Sequence, residues 1–107
     1  MVDPSVLTAV RRYLLTLREH GVAVQFGVVF GSQATGQAKP WSDIDLVVVS
    51  AAFDQLANRQ LVNLLWRLAA RVDSRIEPIP CGLRRWREDG GSPILELARR
   101  EGQQVVV

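Results

Sequence analysis

Two apolar runs separated by a stretch of small and polar residues constrain this chain more than any other feature of it. Residues 22–30 read Val-Ala-Val-Gln-Phe-Gly-Val-Val-Phe and residues 44–49 read Ile-Asp-Leu-Val-Val-Val. Both are too short for a core helix and too continuously apolar for a strand with one wet face, so they predict two strands buried on both sides. The first stops at Gly31-Ser32, and the second opens within Asp43-Ile44-Asp45. A glycine-serine step and a pair of carboxylates thus stand at the mouths of two buried strands, which is the layout a phosphate and metal site requires.

The remaining elements can be read in order around this pair. Asp3 before Pro4 is a helix start, because the carboxylate accepts backbone N–H bonds and proline suits the first turn. Leu7, Val10, Leu14 and Leu17 then make one apolar face, and Gly21 provides a left-handed stop. His20, next to that stop, reads as a favourable charge at the helix dipole rather than as a catalyst. Residues 31–42 read as a loop with one helical turn just after Gly31. Residues 50–53 form a connection, and Asp54 is the expected N-cap of a long helix reaching about Val72. Leu61, Leu64, Leu65, Leu68 and Val72 line its apolar face, with Trp66 at the border. Residues 75–81 predict a third strand carrying Glu77, and the spacing of Pro78 and Pro80 suits a sheet edge, since both missing N–H groups would have pointed the same way. Residues 82–91, with Arg84, Arg85, Trp86 and Arg87 and closing on Gly90 and Gly91, read as a loop. Ser92-Pro93 starts a helix through Arg100 that Gly102 ends, and residues 105–107 predict a short terminal strand.

The expected architecture is therefore a small mixed α/β (α+β) fold: about four strands in one sheet, with helices packed mainly on one face. With 107 residues, 48% of them hydrophobic, residues 1–107 are expected to form one domain around one core. A charged fraction of 22% and a net charge of +2 give no reason to expect direct nucleic-acid binding, while the pI near 9.3 permits an anionic ligand. Cys81 is the one cysteine, which excludes an internal disulfide framework and a multi-cysteine zinc site. Charged residues interrupt the first twenty positions and no run reaches membrane-span length. A cytoplasmic protein without a membrane partner is the expectation.

The chemistry follows from the strand geometry. Residues two apart on a strand share a face, so Asp43 and Asp45 present their carboxylates side by side while Ile44 points into the core. Two adjacent like charges raise a pKa unless a cation intervenes, and hard oxygen ligands favour magnesium or manganese. If the third strand lies beside the second, Glu77 adds a third carboxylate, and three carboxylates on neighbouring strands can hold two metals about 4 Å apart for an in-line phosphoryl-type displacement. Gly31 lets a phosphate approach backbone N–H groups, Ser32 adds a hydroxyl donor, and a helical turn beginning there would aim its positive end at the anion. Taken alone, an Asp-x-Asp is most often a turn or a solvated strand end, and a Gly-Ser pair means less still. Their joint layout is what carries the argument.

Gly31-Ser32, ten intervening residues, then Asp43-Ile44-Asp45, flanked by apolar strands, resembles the signature of the polymerase-β-type nucleotidyltransferase superfamily. More closely, the chain resembles the small free-standing minimal nucleotidyltransferase (MNT) domains over nearly its whole length. The resemblance implies that Gly31 and Ser32 hold nucleotide phosphates and that Asp43 and Asp45 bind Mg2+. Glu77 would then stand as the third acidic residue, completing the metal site and helping to activate an acceptor hydroxyl; many members have aspartate at that place. It also implies ATP as nucleotide donor and a protein partner, because small members are similar to antitoxins paired with a helical HEPN (higher eukaryotes and prokaryotes nucleotide-binding) toxin, some of which transfer AMP to a toxin tyrosine. The expected function is thus Mg-dependent transfer of AMP from ATP to a hydroxyl on such a partner. The competing reading is a catalytically inactive antitoxin acting by steric occlusion. Nucleotidylation of a small molecule is a third, disfavoured because relatives of that kind usually carry a further helical domain. Three side readings stay open at this stage. Trp41 either stacks on a nucleobase or packs under the loop, Lys39 either reaches a phosphate or is solvated, and the Arg84–Arg87 segment either touches a partner or triphosphate or is a solvated basic loop.

Overall fold

The computed structural model describes residues 2–55, 58–88 and 90–107. The elements are α1 (Pro4–Glu19), β1 (Val24–Phe30), α2 (Ser32–Thr35), β2 (Ile44–Ser50), α3 (Arg59–Val72), β3 (Ile76–Cys81), α4 (Leu83–Glu88), α5 (Pro93–Glu101) and β4 (Gln103–Val105), with a 3-10 turn at Ala51–Phe53. Four strands form one mixed sheet in the order β3-β2-β1-β4. β1 pairs antiparallel with both β2 and β4, while β2 and β3 are parallel and joined through α3 as the crossover. The small mixed sheet expected from the sequence is the one observed.

Strand alternation sorts the core into two layers. Val29, Ile44, Leu46, Val48 and Ile76 meet Val10, Tyr13, Leu14, Leu17, Leu65 and Leu68 on the face covered by α1 and α3. Val28, Phe30, Val47, Val49 and Cys81 meet Leu95 and Ala98 on the other, with Leu83 and Trp86 of α4 packed against them. The two long helices therefore share one face and the two short ones take the other, which is why the strands read as apolar throughout. Gly27 lets α1 close on the sheet: a Cβ there would stand 3.0 Å from Leu46 Cδ1 and 3.1 Å from Leu14 Cδ1.

Helix ends follow local chemistry. Asp3 Oδ1 accepts the Ser5 N–H at 2.8 Å at the start of α1, and Ser92 Oγ accepts the Leu95 N–H at 3.3 Å at the start of α5. His20 has the bland place expected of it, its Nδ1 2.9 Å from Thr16 O. Asp54 is not the cap of α3. Asn58 is, accepting the Leu61 N–H at 3.2 Å, whereas Asp54 ends the 3-10 turn and its Oδ1 accepts the Arg84 N–H at 3.1 Å. Residues 56 and 57, which the expected helix would also have spanned, lie outside the described residues. The segment expected as a loop at 82–91 holds α4 instead, over Leu83–Glu88; residue 89 lies outside the described residues. β1 begins at Val24 rather than Val22, and the last strand is Gln103–Val105 rather than 105–107. Trp66 is 48% exposed on the outer side of α3.

β3 is an edge strand, as Pro78 and Pro80 require. Arg75 O accepts the Ile44 N–H at 2.8 Å, so residues 75, 77 and 79 turn their backbone groups toward β2. Pro78 and Pro80 fall on the outward positions, where no N–H is needed. Among the described residues, no helix is long and apolar enough to cross a membrane.

Candidate active site

The parallel pairing of β2 with β3 sets Asp45 directly across from Glu77, and the antiparallel pairing with β1 sets it across from Phe30. Asp45 and Glu77 project from the sheet face that carries Val47, Val49 and Cys81, since each lies an even number of residues from them. Asp43, just before β2, joins them: its charge acts on both. All three keep contact with solvent.

Their electrostatics are those of crowded like charges. Asp45 is raised above the usual aspartate value, first by partial burial and then by the charge of Asp43, with a hydrogen bond to Glu77 acting in the opposite sense. Glu77 is raised as well, by desolvation first, then by the charges of Asp43 and Asp45 and by hydrogen bonds to both. No arginine or lysine contributes to either shift.

That donor set fits a hard divalent ion. Carboxylate oxygens that repel one another without a protein cation between them are what Mg2+ or Mn2+ relieves. Among the described residues no group of three or more His, Cys, Asp or Glu side chains is placed so that it could hold a metal ion. An open site of one or two carboxylates, completed by substrate phosphate and water, is the usual way magnesium is bound in nucleotide enzymes.

Gly31 connects this cluster to the turn beside it. Its φ of 73° and ψ of −149° belong to a region that only glycine enters without strain, and a Cβ there would run into Asp45 Oδ2. The Asp45 carboxylate therefore packs directly over the Gly31 backbone. Ser32 opens α2, a single turn that Gly36 closes in the left-handed conformation. All five residues singled out in the sequence are thus neighbours: Gly31 with Asp45, Ser32 next along the chain, and Asp43, Asp45 and Glu77 in one carboxylate group.

The loop between α2 and β2 is pinned at its base. Ser42 and Lys39 exchange bonds, Ser42 N–H to Lys39 O at 2.9 Å and Lys39 N–H to Ser42 Oγ at 2.8 Å. Arg75 pairs with Asp73 at 2.8 Å and reaches Pro40 O at 3.5 Å, tying the loop to the start of β3. Trp41 does not pack under this loop. It is 74% exposed, with Lys39 Nζ 5.7 Å from its ring centroid.

The arginine segment is not part of the carboxylate group. α4 follows the far end of β3, about 13 Å of strand away from Glu77. Trp86 there is a packing residue, edge-on to Phe26 with centroids 5.8 Å apart and stacked under Arg99, whose guanidinium carbon is 4.9 Å from the ring centroid. Reading the sequence gave no notice of Gln33, which is buried between α2 and the residues leading into β2. A lone glutamine in a turn has no spacing or partner motif to mark it.

Residues 10–81 match the family described as "Nucleotidyltransferase domain". No curated protein matches the chain by sequence. Among solved structures, a toxin-antitoxin crystal structure with AMP-PNP is similar at 24% identity and a TM-score of 0.60, covering 88% of this chain and 70% of that one. A crystal structure of the toxin-antitoxin MntA-HepT gives 24% identity and 0.57 over 92% and 69%. A rebuilt structure of the tri-AMPylated Shewanella oneidensis HEPN toxin in complex with MNT antitoxin gives 20% and 0.57, again over 92% and 69%. At these identities the likeness is one of fold, and it agrees with the resemblance to MNT domains. With the family match extending from the middle of α1 to the end of β3, and so over every residue of the carboxylate group, the chain belongs to the nucleotidyltransferase domain family.

Proposed function

We propose that this chain transfers AMP from ATP to a hydroxyl group on a HEPN-type toxin partner, a tyrosine in the reading we favour, and so acts as its antitoxin. The observation that carries the proposal is the packing of the Asp45 carboxylate over Gly31, with Asp43 and Glu77 gathered beside it. A phosphate cradle and an acidic group in direct contact are what a nucleoside triphosphate with its counter-ion calls for. The solved toxin-antitoxin structures, one with AMP-PNP and one with an AMPylated toxin, support the choice of nucleotide and partner.

In this reading Gly31 and Ser32 hold the triphosphate through backbone N–H groups and the serine hydroxyl. Asp43 and Asp45, with Glu77, hold Mg2+, which supplies charge neutralisation on the phosphates and orients them. The acceptor oxygen attacks the α-phosphorus, the bond to the β-phosphate oxygen breaks, and pyrophosphate leaves. The acceptor proton passes to a carboxylate, a role that falls on Glu77 as the third acidic residue of the group. Trp41, exposed beside the aspartates, offers a face on which an adenine can stack.

Incubation of the chain with labelled ATP, Mg2+ and a HEPN-type partner encoded beside it tests the reading. Label on the partner that is lost with Asp43→Ala and Asp45→Ala together is the expected result. Label that survives this double change overturns the site. A double variant that still neutralises the partner, from a parent that never labels it, would establish occlusion instead.

A further inference from the structure

β1 leaves the sheet one residue after Phe30, whose partner is Asp45. Since the Ile44 N–H points toward β3, the backbone groups of Asp43 and Asp45 face β1. Two more residues of antiparallel pairing would have set Ser32 against Asp43. α2 takes Ser32 out of that position, so the carbonyl of Asp43 has no strand donor. Gln33 supplies one. Its Nε2 donates to Asp43 O at 3.3 Å and to Ser42 O at 3.2 Å, an orientation fixed by chemistry, because only the amide nitrogen can face two carbonyls. Gln33 is 5% exposed, and it and Ser50 are the buried polar side chains among the described residues.

We infer that Gln33 is a positioning residue that takes the place of a strand partner and locks the Asp43 backbone to the turn bearing Gly31 and Ser32. This rests on the reading of Asp43 as a metal ligand given above. Ser32 and Gln33 are adjacent on a single helical turn, so phosphate contacts at one and the carbonyl bonds of the other share one rigid unit. Loss of the amide leaves the carboxylates present and their spacing from the cradle unfixed.

Three measurements on the full chain test this: amide hydrogen exchange without metal, Mn2+ binding, and steady-state AMP transfer. Gln33→Met keeps the volume and removes both donors. It is expected to speed exchange at residues 43–45 and to lower both Mn2+ affinity and kcat by about 10- to 100-fold, the usual cost of losing a group that orients a ligand, with KM for ATP within about threefold. Ser50→Ala, which removes the bond from Ser50 Oγ to Ala23 O at the other end of β2, is the control: it should lower Tm while Mn2+ affinity and kcat stay within about twofold. Folded Gln33→Met with wild-type Mn2+ affinity and kcat overturns the inference. If that variant does not fold, Gln33→Asn decides, since it keeps the amide but withdraws it by one methylene: about a 3- to 10-fold loss of Mn2+ affinity supports the inference and none overturns it. A parent chain that binds no Mn2+ overturns the reading of Asp43 itself and this inference with it, whereas a parent that binds, with variants unchanged, removes Gln33 alone.

Discussion

Gly31 shows how one residue can be fixed by two independent demands. Its positive φ excludes side chains on conformational grounds, and the Asp45 carboxylate occupies the space a Cβ would need. Gly31→Ala should cost about 1–3 kcal/mol in urea unfolding, and should cut AMP transfer about 100-fold through displacement of Asp45. The carboxylates themselves carry a pH signature. Because Asp45 and Glu77 are raised in the folded chain, the stability they contribute is complete below their unfolded values and is lost as pH rises through the raised ones. The metal-free chain should therefore lose Tm as pH rises above the ordinary carboxylate range, and saturating Mg2+ should remove that loss. Asp73 works in the other direction. Hydrogen bonds from Arg75 lower it, so its contribution disappears only as pH falls below the ordinary carboxylate range. At pH 7 without metal, Glu77→Gln should raise Tm slightly, since it removes a charge that its neighbours disfavour, while abolishing transfer. A drop in Tm would show that the glutamate is a structural partner and not a strained one.

At the level of elements, what the sequence disclosed depended on whether a signal was local. The Asp3-Pro4 and Ser92-Pro93 starts name their own helices, and the prolines of β3 name their own edge. Asp54 misleads because its carboxylate is a good cap by composition but is used 30 residues away, at the Arg84 N–H. α4 is hidden for a related reason. Leu83 and Trp86 give a single i, i+3 pair between glycines, too short a pattern to distinguish a helix from a basic loop, and its packing on Phe26 and Arg99 comes from elements distant in sequence. Of the candidate site, Gly31, Ser32, Asp43 and Asp45 are legible within one segment. The place of Glu77 depends on strand order and on a register that pairs it with Asp45, and Gln33 depends on where β1 leaves the sheet. Two substitutions check the reassigned caps. Asn58→Ala should cost about 1 kcal/mol of stability, and Asp54→Ala should speed amide exchange in α4 while leaving α3 protected. The edge can be tested too. Pro78→Val with Pro80→Val restores two outward donors, and concentration-dependent self-association in light scattering is the expected result.

Taken whole, the molecule divides its two sheet faces between different tasks. One carries the long helices and most of the core, joined across by the Tyr13 hydroxyl, which donates to Leu65 O at 2.9 Å. The other holds a thinner apolar layer under α4 and α5, and past the end of that layer the carboxylates emerge. Tyr13→Phe should accordingly cost about 1 kcal/mol and leave nucleotide chemistry untouched. Burial pushes the Tyr13 phenol well above its ordinary pKa, and no other tyrosine occurs in the chain. The enzyme proposed here to modify tyrosine thus has its own tyrosine sealed in its interior, neither exposed nor ionisable near neutral pH. It cannot serve as its own substrate at that residue without unfolding, so any nucleotidyl-tyrosine recovered from a mixture with a partner must come from the partner.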